Sequence, residues 1–166
     1  PDTAREDRGL GGVNLFARRP RIDVGPGERL LAASGEVGGT RDALYLPQRL
    51  AWEKVASADW DQDERTLTVT EVGRFGEPQP VHVVRLEEAG RLLQLVRERV
   101  TASIALQRHV PVADRKSVRV LARQAPGRRG DLAWFVEYDD GLDPADPAVD
   151  EVVQAALAAA RADIGA

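Results

Sequence analysis

Short runs in which apolar and polar residues alternate fill the first half of the chain and predict β-strands. In residues 39–73 these runs are separated by Pro47 and by the polar residues 61–64, both of which are typical of turns. Residues 66–72 alternate most strictly and are rich in β-branched side chains, which favour a pleated surface. The pattern therefore predicts a β-meander. Further strands are expected on either side of it, at residues 28–34 and 81–86.

A change from alternation to helical spacing predicts the first helix. Residues 90–108 carry one apolar stripe at helical intervals. The sequence His109-Val110-Pro111 is expected to end this helix, because the residue before proline avoids helical dihedral angles. Alternation then returns and predicts a hairpin of two strands, residues 117–123 and 131–138.

The end of the chain predicts a second amphipathic helix over residues 148–164. Asp146 is a favourable N-cap, and Pro147 follows it at the first helical position. Gly165 is placed where a helix commonly stops. These signals predict both ends of the helix as well as its apolar face.

Together the elements predict an α+β fold, with one bent, mainly antiparallel sheet of about seven strands and two amphipathic helices. The length of 166 residues suits a single domain, expected over residues 28–166. Residues 1–27 are rich in Gly, Pro and Arg without a sustained period, so a flexible N-terminal tail is predicted there. The core is expected to include Leu44, Leu46, Trp52, Trp60, Leu67, Val69, Val96, Val100, Ile104, Val120, Trp134, Val136, Val153 and Leu157.

Composition narrows the classes of protein. The chain is 43% hydrophobic and 30% charged, which is ordinary globular usage. It has no cysteine, so disulfides, thiolate metal sites and a cysteine nucleophile are excluded. No apolar run reaches the length of a membrane span, and the first residues lack the apolar stretch of a signal peptide. A cytoplasmic location is therefore expected.

Charge is distributed unevenly along the chain. Residues 90–130 contain ten basic and two acidic residues, whereas residues 131–166 contain one basic and nine acidic residues. Such a basic segment can bind nucleic-acid phosphates, or it can be neutralised by the adjacent acidic segment in the fold. We favour neutralisation because the segments are neighbours of similar size. The candidate binding residues of this basic block are Arg108, Arg115, Lys116, Arg119, Arg123, Arg128 and Arg129.

Candidate catalytic or metal-binding residues are few. Asp139, Asp140 and Asp143 form an acidic loop that offers oxygen ligands, but their spacing differs from that of a calcium loop. Helix capping and turn formation explain the same aspartates. His82 lies in a predicted strand, where a packing or surface role is more common than chemistry. With no phosphate-loop, metalloprotease or nucleophile-elbow motif in the sequence, we predict a protein that is not an enzyme and uses no cofactor and no metal.

A family resemblance rests on four segments, residues 40–46, 50–55, 59–61 and 66–69. They resemble bacterial pleckstrin-homology-like (PH-like) domains, in which a tryptophan precedes an acidic residue and a strand of alternating apolar residues follows. The chain is also similar to uncharacterised actinobacterial proteins, through the helical sequence of residues 96–104. The resemblance implies seven strands followed by one helix, and a module that binds a protein or a lipid headgroup.

These observations favour a non-enzymatic interaction module that binds a cytoplasmic protein partner. The alternative is a nucleic-acid-associated protein that uses the basic block. A small hydrolase or metal enzyme built on the acidic loop is the least favoured hypothesis.

Overall fold

The computed structural model describes residues 22–73, 77–127 and 129–165, with the side chain of Arg129 excepted. The described residues form ten strands, one short 3₁₀ turn (Trp52–Lys54) and two helices. The elements, in chain order, are β1 (Ala32–Ser34), β2 (Val37–Gly39), β3 (Ala43–Tyr45), β4 (Arg49–Ala51), β5 (Val55–Asp61), β6 (Thr66–Glu71), β7 (Val81–Arg85), α1 (Gly90–Ala102), β8 (Ile104–Ala113), β9 (Lys116–Ala125), β10 (Arg129–Tyr138) and α2 (Pro147–Ile164).

The α+β class is confirmed, but the single sheet of about seven strands is wrong. All strand pairs are antiparallel, and they form three separate sheets with the orders β1-β2-β3-β4, β5-β6-β7 and β10-β9-β8. The first two sheets are separated by the 3₁₀ turn, which lies between β4 and β5. A sequence that alternates on both sides of such a turn does not reveal that the strands belong to different sheets.

The first half of the fold comprises β1 to β7 and α1, which share one apolar core. Trp52 is fully buried at its centre, and its indole N–H donates to the Thr40 carbonyl at 2.9 Å. Helix α1 covers this core with Leu92, Leu95 and Val96. Because its indole is fully buried and its only hydrogen-bond donor is satisfied, Trp52 makes the largest apolar contribution to the stability of this half.

The second half comprises β8 to β10 and α2, and it has its own core. Val118 and Val120 of β9 pack with Val153 and Leu157 of α2. The strands of this sheet are longer than those of the other two, since each has ten residues. Its face turned away from α2 meets the first half, where β9 contacts the 3₁₀ turn.

The first helix is shorter than predicted, because it ends at Ala102 rather than at residue 108. Ser103 closes the last turn, with its hydroxyl donating to the Val100 carbonyl at 2.6 Å and its N–H to the Arg99 carbonyl at 3.0 Å. The chain then enters β8, whose burial alternates as in a half-buried strand. Pro111 therefore lies within a strand, and it is tolerated there because β8 is an edge strand.

The second helix is confirmed at both ends. The Asp146 carboxylate accepts from the Ala148 N–H at 2.9 Å, and Pro147 occupies the first turn. Gly165 adopts the left-handed conformation, with φ of 75°, and ends the helix. Local signals suffice here because capping depends on neighbouring residues and not on distant ones.

The expected core is confirmed for nine of its fourteen members, which are buried. The other five are partly exposed: Trp60, Val100, Ile104, Trp134 and Val136. Trp60 and Trp134 lie at the margins of the two cores, where each side chain is partly buried. The expected flexible tail over residues 1–27 falls mostly outside the described residues.

Candidate functional site

Two arginines of the basic block form ion pairs with acidic residues of the same half. Arg108 pairs with Asp163 of α2, and Arg119 pairs with Glu137 of the adjacent strand β10. Both pairs join one residue of the basic segment to one of the acidic segment, in agreement with neutralisation within the fold. The charge of these arginines is therefore already compensated.

Arg123 is buried, with 3% of its surface exposed. Its guanidinium donates to the Ala56 carbonyl of β5 at 3.1 Å and lies 3.5 Å from the Ser103 hydroxyl. Burial lowers the pKa of Arg123, partly offset by the Glu137 charge, and the nearby Arg119 charge lowers it further. Arg123 thus connects the two halves of the fold and is not accessible to a phosphate.

The rest of the basic block is dispersed. Arg115 is exposed in the turn between β8 and β9, with φ of 62°, and Lys116 begins β9. Arg128 and the side chain of Arg129 lie outside the described residues. The structure therefore does not bring the described members of the block into one basic surface.

The acidic loop is organised by hydrogen bonds to backbone N–H groups. Asp139 accepts from the N–H of Ser117 at 2.7 Å and from its hydroxyl, and the backbone bond is the main reason that the pKa of Asp139 is lowered. Asp143 accepts from the Ala145 N–H at 2.9 Å. Within residues 22–73, 77–127 and 129–165, no group of three or more His, Cys, Asp or Glu residues is arranged to hold a metal ion.

An open groove of about 400 Å³ lies where this acidic loop meets the turn between β8 and β9. Its apolar side chains come from β8, the loop and the first turns of α2. The larger of them are Val112, Leu142, Val149 and Val152, and Ala113 and Ala148 also line the groove. The charged residues around them are Asp114, Lys116, Asp143 and Asp146. The groove thus combines apolar side chains with three carboxylates and one ammonium group.

Local backbone conformation gives the groove its shape. Asp114 and Arg115 both have positive φ, which allows the tight turn after β8. Gly141 has φ of 89°, and a β-carbon there would lie 2.3 Å from Lys116 Nζ. Glycine at this position therefore permits both the turn and the close approach of the lysine.

The carboxylates of the groove retain unused acceptor capacity. One oxygen of Asp143 and one of Asp146 accept a backbone N–H bond, and within the described part of the chain the second oxygen of each has no hydrogen-bond partner. Among the described residues, none of the four charged groups around the groove forms an ion pair within 4 Å. The groove accordingly carries an excess of negative charge that the fold does not neutralise.

Sequence reasoning found the acidic loop but not the groove. The sequence predicts that Val112 follows the first helix, whereas β8 places it beside Val149 and Val152. Leu142 is the one signal of the groove in the sequence, because an apolar residue in an acidic turn needs an apolar contact. The groove arises only when strand and loop are brought together.

A second, smaller cleft of about 40 Å³ lies between the first two sheets. His82 Nε2 and Glu71 Oε2 are 2.6 Å apart there, and Gln48 and Arg49 complete its polar lining. The residues that line it include no serine, threonine, cysteine or lysine, so it offers His82 no nucleophile to activate.

Beside this cleft, Glu28 organises an ionic cluster. The Tyr45 hydroxyl donates to it at 2.5 Å, Thr40 Oγ1 at 2.8 Å and Arg49 Nε at 3.1 Å. Burial alone would raise the pKa of Glu28, but these hydrogen bonds lower it from 4.5 to about 2. Tyr45 also accepts from the Gly25 N–H at 2.8 Å, so the cluster holds the start of the described chain on the first sheet.

Comparison of the chain with protein-family models, with curated proteins and with solved structures gives no match. Neither of the two described helices combines the length and the apolar character that crossing a membrane requires.

Proposed function

We propose that this protein is a non-enzymatic interaction module, and that the groove beside α2 binds a segment of a protein partner. The segment would carry an apolar side chain flanked by Lys or Arg. The proposal rests on one observation: the groove combines six apolar residues, four of them larger than alanine, with three carboxylates and a single ammonium group. A cytoplasmic location of the partner stays a prediction from the sequence.

The energetics of such a complex divide between the two kinds of side chain. An apolar side chain that becomes fully buried gains about 1.5–3 kcal/mol. Flanking cations interact with partly exposed carboxylates, and each such pair contributes about 0.2–1 kcal/mol. Apolar contact would therefore supply most of the affinity, while charge would select basic over acidic segments.

The PH-like assignment belongs to the same proposal. Its support is the order of elements in the first half, where seven strands in two sheets precede α1, as the resemblance implies. The third sheet and α2 are additions to that order, and the groove lies within them.

The nucleic-acid alternative stays a prediction, and no specific observation favours it. Arg108 and Arg119 are paired with carboxylates, and Arg123 is buried. A phosphate-binding surface would have to use Arg115, Lys116 and the side chains of residues 128 and 129.

The test of the groove is peptide binding to the full chain, measured by fluorescence anisotropy. The probes are short labelled peptides with one Leu or Phe between arginines, and matched peptides with glutamates instead. The variant Asp114→Asn, Asp143→Asn, Asp146→Asn removes three charges while each Asn keeps its capping oxygen and tolerance of positive φ. We expect the arginine peptides to bind and this variant to bind them about tenfold more weakly, as three lost pairs of about 0.5 kcal/mol each imply.

The matched control neutralises the same number of aspartates on the β5–β6 hairpin, by Asp59→Asn, Asp61→Asn and Asp63→Asn. This variant should bind like the wild type, because the hairpin residues do not line the groove. Equal binding of arginine and glutamate peptides would contradict the proposal. If the two variants lose the same affinity for the arginine peptides, binding depends on net charge alone, and the groove is excluded as the site.

A further inference from the structure

Strand β7 lies at the edge of a sheet and bears exposed apolar side chains, a combination that natural proteins normally avoid. It is an edge of the sheet β5-β6-β7. Val81 is 56% exposed and Val83 is 63% exposed, and Leu31 is the one other large apolar side chain that is exposed among the described residues. Natural proteins usually protect a sheet edge with charged residues, and an unprotected apolar edge is a template for another strand.

Hydrogen bonds at the two ends of β7 fix the direction of its backbone groups. The Glu71 N–H donates to the Pro80 carbonyl at 2.8 Å, and the Leu86 N–H donates to the Arg65 carbonyl at 2.9 Å. In an antiparallel ladder alternate residues bond to the same neighbour, so His82 and Val84 also point towards β6. The N–H and C=O groups of Val81, Val83 and Arg85 therefore point out of the sheet.

These outward groups have no strand to pair with in the described part of the chain, since β7 is paired with β6 alone. The opposite edge of the same sheet is protected differently. Strand β5 carries exposed Asp59 and Asp61, and aspartates discourage strand addition. Pro80 does not block the outward edge, because its carbonyl already faces β6 and its missing N–H would face the same way.

We infer that the β7 edge pairs antiparallel with the β7 edge of a second copy of this chain, about a two-fold axis at Val83. The outward groups are spaced symmetrically about this residue. Val83 would face Val83 of the second copy, and Val81 would face Arg85 of the second copy. Every outward N–H and C=O of the three residues then finds a partner, and the two three-stranded sheets become one continuous sheet.

Charge on the strand favours a second copy as the occupant. Over residues 79–87 the two-fold pairing places no like charges opposite one another, with Gln79 facing Glu87 and Pro80 facing Leu86 of the second copy. Arg85 pairs within its own chain with Glu87, at 3.4 Å, and Arg65 pairs with the same carboxylate. The exposed stem of Arg85 can then lie over Val81 of the second copy.

The interface is small, because it consists of one strand of five residues and two apolar side chains from each copy. Interfaces that bury less than about 1,200 Å² are typical of weak, reversible association. We therefore expect a dimer that dissociates on dilution, and not an obligate one.

The experiment is sedimentation velocity over a wide concentration range, combined with residue-resolved hydrogen exchange. With rising concentration, the average mass of the wild-type chain should approach that of two copies. The amide hydrogens of Val83 and Arg85 should become protected at high concentration alone, whereas those of His82 and Val84 should be protected throughout. This difference in protection between odd- and even-numbered residues is specific to pairing at the β7 edge.

Val83→Lys places two positive charges at the two-fold axis and should keep the chain monomeric. Because Val83 is exposed, this substitution leaves the core intact, which circular dichroism verifies. Leu31→Lys removes the third exposed apolar side chain and should dimerise like the wild type. Three results would each overturn the inference. They are a wild-type chain that is monomeric at all concentrations, an average mass that rises beyond two copies, and protection that does not alternate between odd- and even-numbered residues.

Discussion

The first half of this protein encloses one of its two tryptophans completely, whereas the single tryptophan of the second half lies at the margin of its core. In the first half, Trp52 is fully enclosed and its indole N–H is satisfied by Thr40. In the second half, Trp134 lies at the margin of the core with the Arg161 guanidinium 5.6 Å from its ring centroid. The first half is thus held by a dense apolar centre, and the second by a long hydrogen-bonded ladder with a thinner core. The candidate binding groove lies in the half whose core is thinner.

The largest effect should separate the two tryptophans. Trp52→Ala creates a cavity in a closed core and should lower the free energy of unfolding by about 3–5 kcal/mol. Trp134→Ala removes a half-exposed ring and should cost about 1–2 kcal/mol. Urea unfolding followed by circular dichroism measures both. Equal costs would mean that the two halves do not differ in core packing.

The next effect concerns Arg123, which joins the halves. Arg123→Ala should cost about 2–3 kcal/mol, because it removes the donor to the partly buried Ala56 carbonyl and the packed stem of a buried side chain. Arg123→Met keeps the stem and isolates the contribution of the guanidinium. Calorimetry should show a single transition for the wild type. If Arg123→Ala is as stable as the wild type, the halves are coupled by apolar contact alone.

A smaller effect is expected at Glu28, in the ionic cluster of the first half. Glu28→Gln should cost about 1–2 kcal/mol at neutral pH, since charge-assisted bonds become neutral ones. The folded pKa is about 2 and the ordinary value is 4.5. The contribution is therefore fully present above pH 4.5 and is lost as the pH falls towards 2.

The measurement is the difference in unfolding free energy between the wild type and Glu28→Gln, at neutral pH and at about pH 3. The difference should shrink on acidification. Glu36→Gln, at an exposed position of the same sheet, is the matched control and should show no such change. A difference that grows at low pH would contradict the low pKa of Glu28.

The smallest effect is expected at Arg119 and Glu137, on the half-exposed face of the third sheet. Arg119→Gln should lower the free energy of unfolding by less than about 1 kcal/mol, because surface ion pairs are screened by solvent and salt. Repeating the unfolding in high salt should remove most of this difference. A cost equal to that of Arg123→Ala would show that the pair is more important to the third sheet than its exposure implies.

The sequence alone determined the local structure that depends on neighbouring residues. The second helix was correct at both ends because Asp146, Pro147 and Gly165 act within one turn of it. The strand predicted over residues 66–72 is confirmed as β6 (Thr66–Glu71) for the same kind of reason, since strict alternation defines a half-buried strand wherever it pairs. The α+β class follows from these elements without knowledge of their partners.

Only the tertiary structure decided where the first helix ends and which strands share a sheet. Residues 104–108 have apolar spacing that suits either a helix or a strand, and pairing with β9 selects the strand. The same holds for the basic block, whose arginines look equivalent along the chain. Their partners Asp163, Glu137 and Ala56 come from distant elements, so the fold made two of them ion pairs and buried the third.

Neither the groove nor the unpaired β7 edge could be predicted from the sequence, and one physical reason explains both. Each is defined by which groups are left without a partner, and that depends on contacts between residues far apart in the chain. Leu142 and the aspartates around it predict a turn, but the apolar wall opposite them comes from β8 and α2. Val81 and Val83 alternate like core residues, but the fold places their side chains on the exposed face of β7, and the sheet order leaves the outward backbone groups unpaired.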